Sequence, residues 1–328
     1  TAIQSFGGTV FLDHLIFGAT DRQCVSLDYS SFIVSDCVFP AATASFEPVH
    51  GAGGIKSGGR GIFIRNFFGA VYGYCDVIDF TGGNRPNDAI VQFIDNVFAG
   101  SGDDILDLDG TDAWVEGNIF LHAHQNGSPD SCSAVSTGAD GGMASEITIV
   151  GNIIFDCDQA ATAKEGNFST LINNTIVHQT IQGGTDTNGA VVNLGDDGAL
   201  EGNGMYLEGN IIYDAEALTR NVTTAVVTFV NNSTTLEWTG PGGGNTTNDP
   251  MLKYLPLPAE AVFTNWAGAQ IMRDWFSLLP GAPAIGAGPN GRDRGGVVPL
   301  GASVSGEPPT TTTQASATLV VGVNCAGN

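Results

Sequence analysis

The sequence predicts an all-β chain wound as a right-handed parallel β-helix, a single solenoid of about nine coils with a C-terminal cap and a linker. Three observations carry that prediction. The first is composition: 46 of the 328 residues are Gly and 42% are hydrophobic, with Gly, Asn, Asp, Thr and Ser filling the gaps between short apolar runs. That pattern belongs to many short strands closed by tight turns. The second is a repeat that opens on a polar residue, usually Asn: HLIFGAT (14–20), DCVFPAA (36–42), NFFGAVY (66–72), NVFAGSG (96–102), NIFLHAH (118–124), NIIFDCD (152–158), NTIVHQT (174–180), NIIYDAE (210–216) and, more weakly, NSTTLEW (232–238). Successive starts are 22, 30, 30, 22, 34, 22, 36 and 22 residues apart, a base unit of 22 with loops inserted. The third is a second column. DFTG, DLDG, VSTG and AKEG end in Gly82, Gly110, Gly138 and Gly166, each 28 residues from the last, and VNLG follows one residue late at Gly195.

A helical repeat needs apolar residues in a 3.6-residue rhythm over ten or more positions, and a propeller blade needs roughly 40 residues. Neither fits. A 22-residue unit of short strands is one coil of a β-helix. Its Asn side chains hydrogen-bond from coil to coil and tolerate left-handed backbone at the turn, so they are structural. In chain order, KSGGRGIFIR (56–65) reads as a Gly-rich loop leading into a strand with a solvated Arg65. Next, DVIDFTG (76–82) aligns with DILDLDG (104–110), placing Asp76 over Asp104 and Asp79 over Asp107. Ile78, Phe80, Leu106 and Leu108 then face inward, while Asp79, Asp107 and Asp109 face outward. Carboxylates stacked about 4.8 Å apart repel unless a cation or proton lies between them. Clustered hard oxygens suit Ca2+, so Asp79, Asp103, Asp104, Asp107 and Asp109 are the candidate metal ligands.

Four residues beyond the ladder Asn, successive coils carry His122, Asp156, His178 and Asp214; six residues beyond, they carry His124, Asp158, Thr180 and Glu216. Earlier coils have Gly18, Pro40, Ala70 and Gly100 at the first position, so the polar patch is confined to four adjacent coils. Such columns make a hydrogen-bonded ladder, a transition-metal site, or an acid/base pair flanking a sugar. We expect His122, His124, Asp158, His178 and Glu216 to touch substrate. Asp156 with Asp214, or Asp158 with Glu216, would be the paired carboxylates of a hydrolase. The HxH of residues 122–124 puts two imidazoles on one face, which keeps Zn2+ open behind Ca2+. Lys164 is the only lysine between Lys56 and Lys253. It is the candidate base for proton abstraction, although alignment with Phe80 and Leu108 points it inward.

The Gly-rich run TGPGGGNTTND (239–249) lacks the strand–GxxxxGK[ST]–helix setting of a phosphate loop. The tryptophans at 114, 238, 266 and 275 are read as core or cap packing. Residues 250–280 break the coil pattern and are expected to cap the last coil, since an open solenoid end is an aggregation-prone edge. The solenoid with its cap (about 250–302) spans 1–302, a Pro/Thr linker covers 303–316, and 317–328 reads as the first strand of a following module. The chain opens at Thr1 without a signal peptide, as expected of a mature or excised form.

These repeats and columns resemble the right-handed parallel β-helix superfamily that includes pectate-lyase-like proteins, over about residues 1–302. The ending SLLPGAPAIGAGPNGRDRGGVVPLGA (277–302) resembles the closing segment of many secreted bacterial β-helix proteins. The whole run is similar to β-helix segments of very large secreted bacterial proteins that also carry lamin-tail-like modules. The resemblance implies an extracellular or cell-surface bacterial protein. It does not fix an activity, because the fold hosts lyases, hydrolases, epimerases and adhesins. The DDxxD spacing of Asp103, Asp104 and Asp107, with Asp79 one coil earlier, is similar to the calcium cluster of one pectate-lyase family. Lyases of this fold use a Lys or Arg base, the part Lys164 would play.

Eleven Lys and Arg against 34 Asp and Glu give a net charge of −23. Its field repels nucleic acid and anionic membrane surfaces, and no apolar run is long enough to span a bilayer. The six cysteines lack any CxxC spacing, which argues against a zinc knuckle and leaves pairing open. The expected partners are an extracellular polysaccharide and further modules of the same chain. Two functions stay open: a non-catalytic surface module that contacts polysaccharide, which is favoured, and a polysaccharide lyase or glycoside hydrolase.

Overall fold

The computed structural model describes residues 1–18, 22–42, 44–83, 89–126, 132–181, 189–195 and 199–296. The linker, the strand expected at 317–328 and Cys325 lie outside the described residues. The chain is a parallel β-solenoid. One coil illustrates the plan: Leu106–Asp109 lies on a first sheet, Ala113–Glu116 on a second and Ile119–Leu121 on a third. Each strand pairs in parallel with its counterparts one coil before and one coil after. The long strand Val25–Ser35 turns from the first sheet into the second and joins them into one 18-stranded sheet; the third sheet has eight strands.

The interior is filled by stacked identical residues. Phe39, Phe68, Phe98 and Phe120 lie ring on ring at 4.5, 4.8 and 5.0 Å. The corner between second and third sheets holds the amide ladder. Asn66 Nδ2 donates to Asn96 Oδ1 at 2.9 Å, and that same oxygen accepts the Asn66 backbone N–H at 3.0 Å. The pattern repeats through Asn118, Asn152, Asn174, Asn210 and Asn232. It ends one rung later than the repeat indicates, at Asn245, where the last coil shortens to 13 residues.

Two register details correct the sequence reading. Val38 pairs with Phe67, so Cys37 and not Asp36 stands in line with Asn66, and the Cys37 N–H donates to Asn66 Oδ1. His14 and Asp36 instead occupy the position just before the ladder. There every coil turns through the left-handed region, at His14, Asp36, Arg65, Asp95, Gly117, Gly151, Asn173, Gly209 and Asn231. Arg65 is not simply solvated: it makes two hydrogen bonds to Asp36, at 2.8 and 2.6 Å. The glycine column also slips. Gly82 and Gly110 follow strands paired in step, but Leu106 pairs with Val135, which brings Gly138 opposite Asp109. Thr137 pairs with Ala163, so Lys164 follows in line with Gly138.

The segment 250–296 does not close the last coil. It runs back along the outer face of the third sheet, which is apolar: Phe67, Val97, Ile119, Leu121, Ile153, Phe155, Val177 and Ile211 pack under Leu252, Ala261, Ala269, Met272, Phe276 and Ala284. Polar ties fix it at both ends of its path, from Trp266 Nε1 to the Asp95 carbonyl at 2.6 Å and from Gly295 N–H to the Gly209 carbonyl at 2.9 Å. The end of the solenoid is covered instead by Trp238, whose ring lies 4.4 Å from Phe229. Cys24, Cys37, Cys75, Cys132 and Cys157 are buried and are not in disulfides.

Candidate functional site

Two polar regions gather the residues singled out above. The first is the outer face of the first sheet. Strand pairing sets His50, Asp79, Asp107, Ser136, Thr162, Asn193 and Arg220 in one row across successive coils. Asp79 lies over Asp107 as the alignment requires. His50, one coil earlier, escaped notice because the column was not extended upward; its Nδ1 lies 3.0 Å from Asp79 and 3.3 Å from Glu47. Hydrogen bonds to Asp79 and Glu47 raise its pKa to about 10, against the cost of burial.

The aspartates do not form one cluster. Asp76, Asp103 and Asp104 bring carboxylate oxygens within 4.8 Å of one another at the corner of the coil. Asp76 Oδ1 accepts the Asp104 N–H at 2.9 Å and Asp104 Oδ1 accepts the Ser133 N–H at 2.6 Å, so both also cross-link coils. Burial, then neighbouring carboxylates, push Asp76 and Asp104 well above the usual range. Asp107 is pushed up by burial and by Asp109, with Lys164 opposing. A divalent cation would relieve the same strain, so the residues fit a Ca2+ at Asp76, Asp103 and Asp104, with Asp79, Asp107 and Asp109 outside it.

Lys164 faces outward and not, as the alignment suggests, into the core. The one-residue slip at Gly138 moves it to the opposite face of the sheet. It stands two coils from Asp109 in the same line. Gly138 between them has no side chain, and the Asp109 carboxylate fills its place: a Cβ on Gly138 would lie 2.3 Å from Asp109 Oδ1. The charge of Lys164 acts on Asp104, Asp107 and Asp109 together.

The second region is the corner that follows the third sheet. His122, Asp156, His178 and Asp214 each take the left-handed conformation there, at φ near +55° to +63°. This projects all four side chains from one edge. His122 Nδ1 lies 2.6 Å from Asp156 Oδ2, and His178 Nδ1 lies 2.6 Å from Asp214 Oδ2. Two residues on, His124 Nδ1 lies 2.7 Å from Asp158 Oδ1, and its Nε2 lies 3.2 Å from Asp156 Oδ1. Asp156 and Asp158 are 3% and 1% exposed at the side chain. Burial disfavours the Asp156 charge, but hydrogen bonds from His122 and His124 outweigh it and hold the carboxyl far below the usual range. The same two carboxylates lift His124 to about 9 despite its own burial.

The expected carboxylate pairs each lie two coils apart. His178 stands between Asp156 and Asp214 in the column, and Thr180 stands between Asp158 and Glu216. Asp158 is spent on His124 and on the Gln125 N–H, at 3.0 Å. The Glu216 carboxylate lies over Gly189, where a Cβ would meet its Oε2 at 2.2 Å. A hydrolase needs one carboxyl that keeps its proton, and Asp156 does the reverse.

Beside this corner is a cleft of about 710 Å3. Its floor is small and apolar, from the coil ends Pro40–Ala41, Gly69–Val71 and Ala99–Gly102. Tyr72 and Phe263 form its sides, and His122, His124, Gln125 and Asn126 form its polar end. The segment that crosses the third sheet supplies Val262, Phe263 and Thr264 to its lining.

Fold and site define a parallel β-solenoid with a lateral cleft. No protein family matches the chain, and neither a curated protein nor a solved structure is significantly similar to it.

Proposed function

We propose that the protein is a non-catalytic, saccharide-binding solenoid module of an extracellular protein, and that the cleft beside His122 and His124 is where a glycan sits. The cleft carries this reading. Its aromatic sides and small apolar floor suit the faces of a sugar ring, and the amides of Gln125 and Asn126 suit its hydroxyls. The charge of −23 favours a neutral glycan over a polyuronate. The His–Asp pairs close on one another and hydrogen bonds hold Asp156 ionised, which favours binding over acid catalysis at this corner.

Affinity electrophoresis and calorimetry against neutral and uronate-rich polysaccharides test the proposal. Tyr72→Ala and Asn126→Ala should each weaken binding of a neutral glycan tenfold or more while the fold is retained. A second reading, a calcium-assisted lyase, draws on the outward Lys164 in a row of acids. Release of unsaturated uronates, lost in Lys164→Met, would replace the first reading with the second. Binding to no glycan would remove the first.

A further inference from the structure

The closest approach of potential metal ligands in this corner is between His122, His124 and Asp156, whose ligand atoms all lie within 4.8 Å of one another. The two imidazoles face the two oxygens of one carboxylate. His122 Nδ1 is 2.6 Å from Oδ2 and His124 Nε2 is 3.2 Å from Oδ1. In each ring the far nitrogen is held by an acceptor of the chain. His122 Nε2 meets the Ala261 carbonyl at 3.0 Å, and His124 Nδ1 meets Asp158 Oδ1 at 2.7 Å. A ring that donates its far N–H to such an acceptor turns a lone pair toward Asp156. His124 Nε2 is buried against Asp156. Two lone-pair carriers facing each other in this way require a cation between them, either a proton or a metal ion.

We propose that His122 Nδ1, His124 Nε2 and the Asp156 carboxylate bind a divalent transition-metal ion of the zinc type. The donor set is the borderline nitrogen and oxygen mixture such ions prefer, and it differs from the all-oxygen acidic corner at Asp76, Asp103 and Asp104. The far-side acceptors, one carbonyl and one carboxylate, are the outer partners that fix ring orientation in metal sites. A four-coordinate ion with bonds of about 2.0–2.1 Å places its ligand atoms roughly 3.3 Å apart. The His124–Asp156 contact already has that spacing, and the His122–Asp156 contact must open by several tenths of an ångström. His178 Nε2, 3.6 Å from Asp156 Oδ1, stands next to the group. Three protein ligands leave a coordination position open, and His122 and His124 both border the cleft. A hydroxyl or carboxylate of whatever occupies the cleft would complete the ion there. The site is independent of the saccharide reading, since the metal binds with or without a glycan.

The test is calorimetric titration of the metal-stripped full chain with Zn2+ in millimolar Ca2+, which saturates oxygen-only sites, together with the visible spectrum of the Co2+ form. One equivalent of Zn2+ should bind with micromolar affinity or better, and Co2+ should give the intense bands of four-coordinate nitrogen and oxygen ligation. His124→Ala should abolish both. Asp158→Asn, at a residue that meets the His124 ring on its far side, should weaken binding about 10- to 100-fold. His14→Ala, in a separate surface group with Asp13 and Asp36, should change nothing. Circular dichroism of each metal-free variant separates loss of binding from loss of fold; if His124→Ala unfolds, the better-exposed His122→Gln takes its place. Absence of a Zn2+ equivalent in the folded wild type, or full binding in the folded His variant, overturns the proposal.

Discussion

A single residue position sets the shape of each coil. Just before the amide ladder the backbone is left-handed in coil after coil, and Gly, Asn or Asp supplies it at most of them, as expected where a Cβ is penalised. Two of these glycines differ in a testable way. Around Gly117 nothing lies within 4 Å of an added Cβ, so Gly117→Ala should cost only the left-handed penalty, about 1–2 kcal/mol. At Gly209 an added Cβ would meet Asn173 Oδ1 at 2.2 Å and Pro289 Cδ at 2.4 Å. Gly209→Ala should therefore cost about 1–3 kcal/mol more than Gly117→Ala, because the crossing segment must lift. Urea denaturation of the pair measures the difference. At this scale the sequence was legible wherever chemistry repeats: Asn66 to Asn232, the His and Asp columns, and Asp79 over Asp107 all stand where spacing put them. It misled at Lys164, because a loop can absorb or add one residue without trace in the spacing of its glycines, and one residue reverses the face of a strand.

Among elements, the third sheet departs from the second in carrying apolar residues on both faces. Strands of the second sheet alternate, as in Gly61–Ile64 and Val91–Ile94, with one buried and one half-exposed residue in turn. Strands of the third do not: Ile119–Leu121 and Ile153–Cys157 are buried throughout. An apolar residue on both faces of a strand means that something covers the outside. The runs NIFL and NIIF carried that signal, and it identifies the third sheet as the docking face for residues 250–296. Their sequence position past the last repeat suggested an end cap instead, and position in the chain is weak evidence of position in space. Phe276 is fully buried against this sheet, with its ring 5.8 Å from Phe155. Phe276→Ala should cost about 3–5 kcal/mol. It should also expose the third sheet to a hydrophobic dye, and the cleft wall at Phe263 should loosen with it.

Over the whole molecule, a buried carboxyl and a half-buried histidine tilt stability the same way with pH. The Asp107 carboxyl is raised above its ordinary 3.8 by burial first and by Asp109 next, so the folded chain binds its proton more tightly than the unfolded one. Stability from this group is greatest in acid and falls as pH rises through the folded value. The raised pKa of His50 contributes fully below about 6.5 and is lost as pH climbs through about 10. In EDTA, thermal stability should therefore decline from mildly acid to alkaline pH. Asp107→Asn should raise the melting temperature at pH 7 and bring no gain near pH 4; a loss at pH 7 confined to Ca2+ buffer would place the ion on Asp107. Sequence alone revealed the surplus of acid but not which acids are buried, since burial is decided by loops that carry no repeat. The amide ladder has a direction as well. From Asn66 to Asn232 each Nδ2 gives one N–H to the amide oxygen of the coil that follows and the other to a backbone carbonyl of the coil before, so every amide oxygen in the ladder faces the preceding coil. The side-chain dipoles therefore add along the axis, with the positive pole at Asn245 and the negative pole at the coil of Cys37. A solenoid built this way has unlike ends: the column of amides opens on an oxygen at the coil of Cys37 and closes on a nitrogen at Asn245.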